Sequence, residues 1–152
     1  AMVIGKKGKN ITEEKAQDYV FGYCIVNDVS ERSWQKERGG QWVKGKSIAG
    51  PCGPYLVTKN EIKDINNINL TLDVNGERRQ TGNTERMIFN FNFLISHISQ
   101  FMTLYPGTII TTGTPAGTAM EMSVPKFLVA NDKLNLKVDY LGEQNQVVID
   151  ES

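Results

Sequence analysis

From Ile68 to Val74 apolar and polar side chains alternate, and the run is stopped by Asn75-Gly76. A period of two puts Ile68, Leu70, Leu72 and Val74 on one face of a strand. Asn-Gly supplies the left-handed backbone that a two-residue hairpin turn demands. The chain must therefore contain an antiparallel hairpin with one buried face, and its remaining elements have to cover that face. The returning strand, Glu77-Arg78-Arg79-Gln80, is polar and reads as an edge or rim, with solvated arginines that discourage edge pairing. Leu134, Leu136, Val138 and Tyr140 alternate in the same way, Gly142 marks a turn, and Val147-Val148-Ile149 is expected to close the sheet. Shorter β segments are expected at Ala1–Ile4, Tyr23–Val26, Gly53–Thr58 and Thr108–Thr112.

Two stretches have helical spacing instead. Thr12 is placed to cap a short helix with Glu13 and Glu14 in its first turn and Ala16, Tyr19 and Val20 on one face; Gly22 then offers a change of direction. A longer helix starts near Asn90 and sets Phe91, Leu94, Ile95, Ile98, Phe101 and Met102 toward the core, with His97 off that stripe and incidental. The fold class is mainly β with two short-to-medium helices, organised as a single domain over residues 1–152 without repeats or linkers.

Seventeen Lys and Arg balance seventeen Asp and Glu, so no global field draws the chain to nucleic acid or to an anionic membrane. No apolar run approaches the roughly 20 residues of a membrane helix, and no signal pattern opens the sequence. The expected setting is the cytoplasm. Cys24 and Cys52 have no zinc-ligand spacing and are read as reduced thiols, Cys24 as a small core hydrophobe and Cys52 in a loop.

Function is sought where the apolar run Tyr23–Val26 gives way to Asn27-Asp28-Val29-Ser30-Glu31-Arg32-Ser33-Trp34-Gln35. Asp28 offers a hard anionic oxygen, Arg32 a planar fork suited to a carboxylate, and Gln35 an amide that donates and accepts. Taken alone, the same cluster also reads as a turn whose side chains bond their own backbone. Gly40 to Ser47 satisfies the written phosphate-loop pattern, but charged residues precede it and Pro51, Gly53 and Pro54 follow, so the strand-loop-helix context is missing. Lys46 reads locally as a solvated lysine, and Gly113-Thr114-Pro115-Ala116-Gly117 as either a tight loop or a backbone that a ligand can approach closely.

These pieces recur together in one family. Asn27-Asp28-Val29-Ser30-x-Arg32-x-x-Gln35, Gly39-Gly40-Gln41-Trp42-x-x-Gly45-Lys46-Ser47, Gly53-Pro54-Tyr55-Leu56-Val57-Thr58, Gly82-Asn83-Thr84 and Thr112-Gly113-Thr114-Pro115-Ala116-Gly117 resemble the catalytic domain of the fumarylacetoacetate hydrolase family, in its order and over nearly the whole chain. At Ile48–Cys52 the sequence has fewer residues than the family's usual connection, which reads either as a shorter loop or as a segment absent from this sequence.

The resemblance implies a rolled mixed β-sheet, a homodimer and Mg- or Mn-dependent chemistry on acylpyruvate-like 2-oxo acids: hydrolysis of a carbon–carbon bond, or decarboxylation, lyase or isomerase chemistry. It assigns Asp28 to the metal, Arg32 and Gln35 to catalysis and orientation, Lys46 to charge stabilisation, and Gly113 and Thr114, with Arg32, to the substrate. It also implies a Glu-x-Glu pair just before the first strand and a His-Glu pair on an upstream lid, neither matched in this sequence, so the expected physiological protein is longer at its N-terminus. The reading from a different class is a non-catalytic β domain that binds small acids or pairs with another subunit.

Overall fold

The structure is a computed structural model and describes residues 1–37 and 50–150. In chain order its regular elements are β1 (Met2–Ile4), β2 (Val20–Tyr23), α1 (Arg32–Glu37), β3 (Val57–Thr58), β4 (Asn69–Val74), β5 (Glu77–Asn83), α2 (Phe91–Phe101), β6 (Ile109–Ile110), β7 (Lys133–Val138) and β8 (Gly142–Val147). They form two four-stranded sheets, ordered β3-β2-β1-β6 and β5-β4-β7-β8, with antiparallel pairing throughout the described strands.

The hairpin forms as the alternation requires. Asn75 and Gly76 turn it with φ of 52° and 79°. Met2, Ile4 and Tyr23 from the first sheet join Leu136 of the second in one buried cluster, closed by Ile95 of α2 and by Ala16. Burial of such side chains is the main stabilising term, about 1.5–3 kcal/mol for each large one.

Asn90 caps α2, its side-chain oxygen accepting from Phe93 N at 2.8 Å. Along this helix Phe91, Ile95 and the fully buried Ser99 point inward. Ser99 Oγ accepts from Ile11 N and donates to Ser96 O, so the buried hydroxyl is satisfied. Phe101 and Met102, expected in the core, are instead 73% and 55% exposed. Phe101 lies two residues, about 200° of helical turn, from Ser99. It continues an outward row in which Phe89, Phe93 and His97 stack successively and His97 meets Phe101 edge to face.

The first expected helix is a 3-10 helix, Glu13–Tyr19, with Ala16 buried against α2. Tyr23 OH donates to Gln17 Oε1, and Gln17 Nε2 donates to Asn92 Oδ1, tying that helix to α2. Burial pushes the Tyr23 hydroxyl up to about 12, so it stays a donor.

Several strand expectations shift, and those at Gly53–Thr58 and Thr108–Thr112 shrink to Val57–Thr58 and Ile109–Ile110. The strand expected at Tyr23–Val26 begins at Val20 and ends at Tyr23, and Gly22 lies inside it rather than at a bend. A Cβ at Gly22 would sit 2.2 Å from Val57 O, so a glycine is what lets β3 pair there. Tyr140, expected within β7, falls in the following turn with φ of 65°. The closing strand is the polar run Gly142–Val147, not Val147–Ile149, because its partner β7 pairs through Lys133↔Val147 to Val138↔Gly142. Replacing Gly22 by Ala is expected to lower stability by about 2–3 kcal/mol through this clash. A lower urea midpoint at unchanged slope would read it, and an unchanged midpoint would show that β3 gives way freely.

Candidate functional site

After Tyr23 the chain stays extended, and the segment that returns from the site pairs with it. Asn27 N donates to Pro51 O at 2.9 Å, Gly53 N donates to Ile25 O at 3.0 Å, and Val26 and Cys52 form an antiparallel bridge. The second sheet holds this stem. Gln144, 8% exposed on β8, donates through Nε2 to Gly53 O at 2.7 Å and more weakly to Pro51 O and Ile25 O. Gln146 Nε2 donates to Gln144 Oε1, and Asn27 Nδ2 donates to Gln146 Oε1 at 2.7 Å. A relay of three amides therefore fixes the backbone one residue before Asp28.

The turn past Asp28 is local. Ser30 Oγ donates to Asp28 O, Ser33 N and Oγ donate to Glu31 Oε1, and α1 begins at Arg32. Arg32 Nη1 donates to Gln35 Oε1 at 2.6 Å, one helical turn on. Gln35 thus aims the guanidinium and leaves its other N–H groups for a ligand.

The loop Thr112–Gly117 is docked on β5 by close backbone contact. Gly117 has φ of 107°, and a Cβ there would lie 2.0 Å from Arg79 O. Gln80, 9% exposed, donates through Nε2 to Thr114 Oγ1 and to Pro115 O, both at 2.8 Å. With the Gln80 amide donating to its oxygen, Thr114 Oγ1 donates only a long bond of 3.4 Å to Pro115 O, which an acceptor such as a carboxylate can replace. Beyond the loop, Gly117 N and Thr118 N donate to Glu121 Oε2. The amides of Thr118 and Gly117 hold the Glu121 carboxyl below the usual carboxylate range.

Stem, turn and loop all open onto one cavity of about 1390 Å³ between the sheets. Asp28, Arg32, Gly113 and Thr114 line it, and Leu70, Leu72, Leu136 and Val138 give it an apolar floor. Gln35 joins the site through Arg32. Lys46, with the Gly39–Ser47 motif, lies outside the described residues.

Arg79 corrects the expectation of solvated arginines on β5. Asp73 pairs with Arg78 and Leu72 with Gln80, which leaves Arg79 as the extra residue of a β-bulge. It lines the cavity with its side chain 12% exposed and its Nε without a hydrogen-bond partner among the described residues, whereas Arg78 stays outside on Asp73. No periodicity announces a bulge. Gln80, Gln144 and Gln146 were equally silent in the sequence, because polar residues on a strand read as its solvent face.

Metal binding is only partly provided for. Among the described residues no three His, Cys, Asp or Glu side chains come together as a metal site. They offer Asp28 as one hard oxygen ligand and do not by themselves complete a magnesium or manganese centre.

A Burkholderia cenocepacia protein is 52% identical over 148 residues, 95% of this chain and 52% of its own length, so the chain spans about half of the curated relatives it matches. The structure of a fumarylacetoacetate hydrolase from Exiguobacterium antarcticum superposes with a TM-score of 0.89 at 36% identity, covering 99% of this chain and 54% of that one. A maleylpyruvate hydrolase from Sphingobium, in complex with manganese(II) and pyruvate, superposes with a TM-score of 0.86 at 30% identity, over 99% of this chain and 52% of that one. A family model described as the C-terminal part of fumarylacetoacetate hydrolase matches residues 1–149, and the chain belongs to that family.

Proposed function

We propose that this chain carries the catalytic domain of a Mg- or Mn-dependent enzyme that cleaves a carbon–carbon bond in an acylpyruvate-like 2-oxo acid, working as a homodimer. The observation that carries this reading is the convergence of Asp28, Arg32 and Thr114 on one cavity with an apolar floor. A manganese and pyruvate complex of a hydrolase relative supports the ligand chemistry.

In this reading Asp28 would be a ligand to the cation, a hard carboxylate oxygen of the kind magnesium and manganese take. The cation supplies a Lewis acid for the 2-oxo group. Arg32, aimed by Gln35, clamps an anionic oxygen; Thr114 donates to the carboxylate end; Lys46 offsets negative charge as the bond breaks. Leucines on the floor exclude water from the acyl part, which strengthens these polar contacts. Isomerase chemistry on the same scaffold is the neighbouring reading, since a 2-hydroxyhepta-2,4-diene-1,7-dioate isomerase from Mycobacterium marinum superposes at 35% identity.

Screening the full-length protein against acylpyruvates with Mg²⁺ or Mn²⁺ tests the whole proposal. Expected is metal-dependent loss of the substrate with release of pyruvate. Pyruvate binding with no turnover of any 2-oxo acid would overturn it in favour of a small-acid-binding domain.

Asp28→Asn is expected to weaken Mn²⁺ binding on the order of tenfold in calorimetric titration, with unchanged circular dichroism. Equal affinity would reduce Asp28 to a turn residue. Arg32→Lys keeps the charge and loses the fork, and should raise KM about tenfold; unchanged kinetics would remove Arg32 from the substrate. Gln80→Leu and Thr114→Val should each weaken pyruvate binding severalfold, and the double variant should be no worse than either alone, because the amide acts through the hydroxyl. Fully additive losses would show that Gln80 does not act through Thr114.

A further inference from the structure

The two cysteines of the chain stand 28 residues apart in sequence, yet their sulfurs lie 3.4 Å apart. The contact follows from the stem: Val26 bridges Cys52, and hydrogen bonds from Asn27 to Pro51 and from Gly53 to Ile25 hold the two segments in register around the pair. Both are free thiols, Cys24 buried at 3% exposure and Cys52 exposed. A disulfide needs its sulfurs at about 2.0 Å, so little more than an ångström separates the contact from a bond. One accessible thiol in contact with one screened thiol is the arrangement in which an oxidised sulfur meets its resolving partner before it can be oxidised further.

We propose that Cys24 and Cys52 are a redox modification site, in which a hydroperoxide oxidises Cys52 and the pair closes to an intramolecular disulfide that a dithiol reopens. In the first step the Cys52 sulfur attacks the peroxide O–O bond, forming a sulfenic acid and releasing the alcohol, or water from hydrogen peroxide. In the second the Cys24 sulfur attacks the sulfenic sulfur, the S–O bond breaks, and the departing hydroxide leaves as water with the Cys24 proton. Two electrons pass from the two thiols to the peroxide, and a dithiol returns them by exchange. Burial, with the contact to Cys52, pushes the Cys24 thiol up to about 11, and it is the exposed Cys52 sulfur that a peroxide from solvent meets first. The disulfide bolts together the two stems of the segment that contains Asp28 and Arg32. Nothing in this step depends on which reaction the cavity performs.

The test is oxidation of the full chain with hydrogen peroxide, blocking with iodoacetamide, and mass spectrometry without reductant. Expected are loss of two hydrogen masses, no alkylation at either cysteine, one linked peptide pair containing Cys24 and Cys52, and recovery of both alkylation sites after dithiothreitol. Cys24→Ser should stop at a sulfenic acid on Cys52 that a 1,3-diketone traps, and Cys52→Ser should leave Cys24 reduced. Both thiols still alkylated after treatment, oxygen addition at Cys52 in the unsubstituted chain without a linked peptide, or cross-links between chains would each overturn the proposal. Oxidation of Cys24 in Cys52→Ser would overturn the assigned order. Because the decisive readings come from the unsubstituted chain, a variant that fails to fold does not shelter the proposal.

Discussion

A buried amide has to be hydrogen-bonded, since leaving one unpaired costs about 1–3 kcal/mol. Two glutamines obey that constraint at opposite edges of the second sheet, Gln80 on β5 and Gln144 on β8. Neither amide donates within its own sheet. Gln80 reaches the loop after β6, and Gln144 reaches the stem after β2. The second sheet therefore holds, at each of its edges, one of the two first-sheet connections that face the cavity. This division of labour lets the cavity floor be apolar while its rim is polar and fixed.

The arrangement also explains how short strands position a site. β3 and β6 are two residues each and could not define a rim by ladder bonding alone. Precision comes from side chains gripping backbone carbonyls, from Gly22 and Gly117 allowing backbones to approach, and from a bulge that turns Arg79 inward. Each device trades regular pairing for control over where one residue points.

Much of this was legible beforehand. The Asn75-Gly76 hairpin and the Asn90 cap follow from local chemistry and form where it puts them, and the motif residues Asp28, Arg32, Gly113 and Thr114 all line one cavity. What stayed hidden depends on contacts between segments distant in sequence. β8 was missed because Glu143 to Gln146 shows no apolar alternation; its inward residue is a glutamine. Phe101 was misplaced because a hydrophobic tally cannot tell that the small Ser99 marks the inward face. The cysteine contact depends on a pairing between stems that no pattern in either segment encodes.

That pairing has a bearing on how sequences of this kind can diversify. Asn27 and Pro51 are already hydrogen-bonded, so the ends of the segment between them are brought together by the scaffold rather than by the segment itself. Under that condition doubling its length costs only about 0.6 kcal/mol of closure entropy. Insertions and deletions between these two residues can then accumulate, or be grafted by design, without disturbing the core. Specificity can be re-tailored between these two residues while both sheets stay as they are.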